Sequence, residues 1–165
     1  MKITPNNKEV YFDENKLLVS KTDLKGTITY CNRAFFEIVN MSERGLIGKP
    51  HNIIRHPDMP RIIFKALWDY LQSGKEINAY VKNLTSDGSY YWVLANVTPS
   101  YFKEKIIGYH SARRKPRKEA LDIIIPLYKQ LLDAEKQGGI KESEKILNKL
   151  LEEKGVEYDE FILSI

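Results

Sequence analysis

"INAYVKNLTSDGSYYWVLANVTPSYFKEKIIGYHSARR", residues 77–114, decides the fold class. "INAYVKNLT" (77–85) is rich in apolar, β-branched and aromatic residues and stops at "SDG" (86–88), where Asp87-Gly88 is a strong hairpin signal. "SYYWVLANVTPSYF" (89–102) is long and aromatic; "EK" (104–105) makes a second turn, and "IIGYHSARR" (106–114) returns. Three consecutive strands joined by tight turns form an antiparallel meander.

Upstream, "LLVSKT" (17–22), the turn "DLKG" (23–26) and "TITYC" (27–31) read as a further hairpin. Asn32 is placed to cap the helix "RAFFEIVN", whose Phe35, Ile38 and Val39 share one face. "SERGLIGKP" (42–50) predicts a short helix between turns. A longer helix follows in "PRIIFKALWDYLQSG", with Pro60 expected at its first position and Gly74 as its stop. Two strands, short helices, one longer helix and a three-strand meander make an α+β domain: a five-stranded antiparallel sheet with helices on one face. The space between helices and sheet is a natural pocket.

Between the short helices and the long one lies "HNIIRHPDMP" (51–60). His56 and Met59 each precede a proline and are pushed away from helical geometry, so the corner is stiff and its polar residues are held. Arg55, His56 and Asp58 read either as an ion-pair cluster fastening helix to sheet or as the support of a site. Asp58 has the further options of pairing with Arg55 or capping the helix. Asn83 sits in a strand, where Asn is depleted, and an inward Asn needs a partner. Trp68 reads equally as core or as part of a ligand box. Of Tyr91 and Trp92, which alternate, one points inward. His51 and His110 read as structural or exposed, and Cys31 as a small core or strand residue.

Beyond "RRKPRKEA" (113–120) the chain turns wholly helical. Leu121, Ile124, Ile125, Tyr128, Leu131 and Leu132 recur at helical spacing; Pro126 is expected to kink or restart the helix, and "QGG" (137–139) to break it. "IKESEKILNKLLEEKG" is a second amphipathic helix, and "EYDEFILSI" a short apolar finish. The organisation is an N-terminal segment (1–16), a core domain (17–115) and a helical C-terminal extension (116–165).

Several function classes lack support. The 165 residues carry a formal charge of +4 with both signs spread along the chain, which does not argue for nucleic acid; "RRKPRK" reads as a solvated boundary. Cys31 is the sole cysteine, so there is no disulfide framework. The polar start "MKITPNNKEVYF" is unlike a signal peptide, and no apolar run nears the roughly 20 residues of a membrane span. A cytoplasmic protein is expected. Nucleotide-binding glycine motifs, zinc-protease motifs and nucleophile elbows are missing, so no enzymatic turnover is expected. His51 and His56 lack a third metal ligand of obvious spacing.

"NIIRHPDMP", a helix ending in glycine, "KN…DGSYYWV" and "IIGYHSARR" together closely resemble the PAS domains of the aerotaxis-receptor type, from near Leu17 through "PLYKQL" (126–131). The order of elements read above is the PAS order. The resemblance implies non-covalently bound FAD whose redox state is reported, with flavin support from Asn32, Arg55, His56, Asp58 and Asn83; Tyr91 and Trp92 match the family's "YW" pair. Trp68 is retained, while Ile77 stands where the family usually has tryptophan. It further implies a sensor for energy taxis that signals to a methyl-accepting chemoreceptor in the membrane, contacted by the sheet face or the C-terminal helices. The tail's alternatives are packing on its own domain or a homodimer. Two other readings stay open: a cofactor-free PAS adaptor, and a haem-binding oxygen sensor with His51 or His56 as axial ligand.

Overall fold

The computed structural model describes residues 2–165. A five-stranded antiparallel sheet, in the order β2-β1-β5-β4-β3, is built from β1 (Leu18–Asp23), β2 (Ile28–Cys31), β3 (Ile77–Leu84), β4 (Tyr90–Phe102) and β5 (Lys105–Arg114). Between β2 and β3 run α1 (Arg33–Val39), α2 (Glu43–Leu46), a 3₁₀ turn at His51–Ile54 and α3 (Arg61–Gln72). The extension forms α4 (Lys118–Gly138), α5 (Ile140–Lys154) and α6 (Tyr158–Leu163). No helix among the described residues is long and apolar enough to cross a membrane.

Three local expectations need correction. The β4–β5 turn is Lys103-Glu104, one residue earlier than read, and both residues take positive φ (47° and 64°), the twist a two-residue hairpin requires. Pro60 is not the first residue of α3. Its ψ of 138° is extended, so it stands at the N-cap, where it has no side chain to offer the first amides. Pro126, expected to kink or restart the helix, does not restart it: α4 runs as one helix across it. Packing decides there: Ile124, Tyr128 and Leu131 flank Pro126 and are all buried.

β3 is an edge strand, yet all eight of its residues are buried. An open edge presents unpaired N–H and C=O groups, and here other segments close it. Residues 78, 80 and 82 turn their backbone groups outward. Asp159 of α6 accepts from the Asn78 N–H (2.6 Å), and the Tyr128 hydroxyl of α4 donates to the Tyr80 carbonyl (2.6 Å). Met59 Sδ accepts from the Lys82 N–H (3.2 Å), and the His56 N–H donates to the Lys82 carbonyl (3.3 Å). The tail therefore packs on its own domain, and the proline-stiffened corner finishes the edge. Trp92 turns outward onto Tyr128, with ring centroids 6.0 Å apart, while Tyr91, on the opposite face of β4, is fully buried.

Candidate functional site

A cavity of about 330 Å³ lies between α3 and the inner sheet face, within the usual size of a small-molecule site. The helix supplies apolar surface through Phe64, Leu67, Trp68 and Leu71. Strand alternation supplies the opposite wall: Val81 and Asn83 from β3, Ala95 and Val97 from β4, Tyr109, Ser111 and Arg113 from β5, Ser20 and Thr22 from β1. The corner adds His51, Asn52 and Arg55, and exposed Lys25 stands at the rim. Trp68 packs edge-on against Tyr109, centroids 5.3 Å apart.

Polar groups in this slot lack protein partners. Arg55 Nε, Asn83 Nδ2, Ser111 Oγ and Arg113 Nη1 are all buried without a hydrogen bond to any of the described residues. Neither arginine forms a salt bridge among the described residues. A buried guanidinium without a carboxylate is costly, and burial lowers both: Arg55 falls below its ordinary value and Arg113 falls to about 10. The Arg55 guanidinium lies 3.6 Å from the centroid of the Phe64 ring.

Arg113 Nη2 lies 2.8 Å from His51 Nε2, which also meets Ser20 Oγ at 3.0 Å. Arginine can only donate, so His51 Nε2 accepts and the imidazole is neutral with its proton on Nδ1. Burial, reinforced by Arg113, pushes the His51 pKa down to about 3. The assembly is thus an apolar slot ringed by N–H and O–H donors and carrying net positive charge. It suits a planar ligand edged with carbonyl and ring-nitrogen acceptors.

Of the residues expected at the site, Arg55, Trp68 and Asn83 line this cavity. Asn32, His56, Asp58 and Tyr91 do not. Asn32 is occupied as a strut: Oδ1 accepts from the N–H groups of Phe35 (3.1 Å) and Val19 (3.0 Å), and Nδ2 donates to the Leu17 carbonyl (2.8 Å). Asp58 pairs with Lys82 (2.7 Å), not Arg55. Burial raises its carboxyl, but the Lys82 hydrogen bond and charge more than offset this, and the net shift is downward. His56 is buried away from the lining; its Nδ1 accepts from the Asp58 N–H (3.0 Å), and burial followed by Lys82 lowers its pKa to about 4. Tyr91 lies beside Asn83 in register, edge-on to Phe12. The corner therefore divides its labour: Arg55 turns to the cavity, while His56 and Asp58 turn to Lys82 and the sheet edge.

Ser20, Ser111 and Arg113 belong to the lining and have no candidate role in the sequence reading; His51, read there as structural, exposed or a haem ligand, joins them. His51 is half-buried and bonded to Arg113 and Ser20, which is the structural alternative. Arg113 had a legible signal, because Tyr109, Ser111 and Arg113 alternate onto one face, but the basic run around it reads as solvated. Ile77 is fully buried outside the lining, and the aromatic surface comes from Phe64, Trp68 and Tyr109. His51 Nε2 is taken by Arg113 and Ser20, His56 stands outside the lining, and no three metal-ligating side chains converge among the described residues.

Known proteins repeat this frame. Residues 28–112 match the family described as PAS fold. The aerotaxis receptor of Escherichia coli (strain K12) is 39% identical over 118 residues, 72% of this chain and 23% of the receptor. The nitrogen fixation regulatory protein of Klebsiella pneumoniae is 26% identical over 87 residues, 53% of this chain and 18% of that protein. The chain thus spans less than a quarter of the length of either relative. Among solved structures, the light-state LOV domain of the blue-light photoreceptor Aureochrome1 superposes with a TM-score of 0.59 at 19% identity, covering 66% of this chain and 88% of that one. A PAS domain from Colwellia psychrerythraea gives 0.57 at 21% identity, covering 62% and 87%. Strand order and sequence match agree over the same segment, and the chain belongs to the PAS-fold family.

Proposed function

We propose that this chain is a redox sensor for energy taxis, with a PAS core at 17–115 that holds FAD and an extension at 116–165 that takes part in output. The observation that carries the reading is the ring of unpartnered donors around one apolar slot: Arg55, Asn83, Ser111 and Arg113. The similarity to the aerotaxis receptor supports it.

FAD supplies reversible electron uptake that changes the charge on its ring. The chain does the rest. Phe64, Leu67 and Trp68 exclude water from the slot. Arg55 and Arg113 favour negative charge beside them, and Asn83 and Ser111 fix orientation by hydrogen bonding. His51 holds Arg113 in place through a neutral nitrogen. Lys25, at the rim, suits the charged part of the dinucleotide that the slot is too small to enclose. No turnover is required of these residues. The signal passes to a membrane chemoreceptor that docks on the sheet face or the C-terminal helices, and the sensor itself works in the cytoplasm.

An absorption spectrum of the freshly purified protein, followed by dithionite and then air, tests this. Two broad visible bands that bleach and return are expected. A protein that stays colourless after incubation with FAD would be an adaptor without cofactor, and a sharp Soret band would mean haem.

A further inference from the structure

The tail grips from outside the same two elements that wall the cavity. On α3, Pro60 leaves the first amides without a local cap, and Glu135 of α4 reaches across to replace it. Its Oε2 accepts from the Arg61 N–H (3.0 Å) and its Oε1 from the Ile62 N–H (2.9 Å). Ser143 of α5 donates to the same Oε1 (3.0 Å), and Glu135 is only 7% exposed. A carboxylate on the first amides satisfies orphan donors and meets the positive end of the helix. One turn further along α3 stands Phe64, whose ring carries the Arg55 guanidinium in the cavity. On β3, Tyr128 and Asp159 hold residues 80 and 78, beside Val81 and Asn83 of the lining.

We infer that Glu135 is a positioning residue for the cavity: it fixes the first turn of α3, and with it Phe64 and Arg55, so that ligand occupancy and docking of α4–α6 are thermodynamically linked. A ligand that draws on Arg55 holds the first turn of α3 in place and strengthens the seat of Glu135. A tail that lifts away loosens that turn and weakens the site. Coupling of this kind is reciprocal, so the factor by which the ligand protects the tail equals the factor by which the docked tail improves ligand binding. The extension thereby becomes the part of the molecule that reads the state of the cavity. This coupling rests on the FAD reading for its probe.

The test uses the full chain, with FAD titrations and amide hydrogen exchange of α4–α6 with and without FAD. In the wild type, FAD slows exchange along the tail. Glu135→Ala weakens FAD binding about tenfold and abolishes that protection. Ser143→Ala, which removes one donor to the carboxylate and leaves the cap in place, moves both quantities the same way by less, and it carries the test if Glu135→Ala does not fold. Glu135→Gln, which keeps an acceptor, restores part of the affinity. Faster tail exchange in Glu135→Ala or Ser143→Ala with unchanged FAD affinity overturns the coupling, as does a wild type that binds FAD without any change in tail exchange. A wild type that takes up no FAD overturns the cofactor reading, and the coupling with it.

Discussion

Arg113 brings a positive charge into a place where no carboxylate among the described residues pairs with it, and its hydrogen-bond partner is a neutral imidazole. Without a ligand that charge is a burden; with an acceptor-rich ligand it becomes a hydrogen bond of the charged kind, about 1.5–3 kcal/mol. Arg113→Met separates the two effects. It is expected to weaken FAD binding by about 10- to 100-fold. The ligand-free protein should meanwhile be as stable as wild type or more so, because a well-packed apolar residue replaces a buried charge. FAD titration and urea unfolding of the apoprotein check both arms. His51 gives a pH dependence. Its folded pKa, about 3, lies below the ordinary histidine value of about 6.5, so the unfolded chain binds the proton more readily. Its stabilisation is therefore complete above about pH 6.5 and falls as pH drops toward 3, at up to about 1.4 kcal/mol per pH unit. His56, lowered to about 4, adds to the loss in the same direction. Urea midpoints at pH 7.5, 6 and 5 should decline, and His51→Asn should decline less steeply.

The β3–β4 hairpin shows how one residue type makes an element possible. Gly88 has φ +89°, and a Cβ there would stand 2.0 Å from the Thr4 carbonyl oxygen. The N-terminal segment lies directly against this turn: the Asn6 N–H donates to the Gly88 carbonyl (2.9 Å), and Val10 and Lys8 exchange backbone bonds with Tyr90 (2.7 and 2.8 Å). Gly88→Ala faces both a left-handed backbone and a backbone clash. It should cost about 1–3 kcal/mol in urea unfolding and raise exchange at the amides of residues 6 and 10. A change of the same midpoint without altered exchange there would separate turn strain from loss of the segment. The edge strand beside this hairpin owes its burial to other elements. Its sequence, "INAYVKNL", has no charge or proline at the positions that face outward except Lys82, and Lys82 is itself held by Asp58 and Tyr90.

The PAS core and the extension share one set of contacts, so they are expected to unfold together. Trp92 touches Tyr128 of the tail and Trp68 lines the cavity, so fluorescence sees both parts while far-UV circular dichroism sees all helices. Leu131, fully buried in α4, is the place to cut. Leu131→Ala should lower stability by about 2–5 kcal/mol and keep a single transition with coincident midpoints by both probes. Two separated transitions would mean that the tail is an independent unit and that its grip on β3 and α3 is loose. The exposed Ile123, Ile125 and Leu163 lie on the outer side of the tail and take no part in this packing.

Periodicity made the sheet and its helices legible, because strand alternation, an Asp-Gly turn and amphipathic spacing are local signals that tertiary packing reinforced. The polar corner was legible as important for the same reason: two prolines and five polar side chains mark a rigid bend without any knowledge of what surrounds it. Which way each side chain turns was not in the local signal. Arg55 and His56 are neighbours, yet one faces the cavity and the other the sheet edge. His51 and Arg113 are 62 residues apart in the chain and meet only because β5 lies beside β1, and 3₁₀ turn and strand converge there. Glu135 caps a helix that begins 74 residues earlier, a role that spacing cannot announce. Patterns of hydrophobicity and turn chemistry act over a few residues and specify elements. The seat of a buried charge is decided by desolvation and by whichever partners the folded chain brings within hydrogen-bonding distance, and only the tertiary structure assembles those.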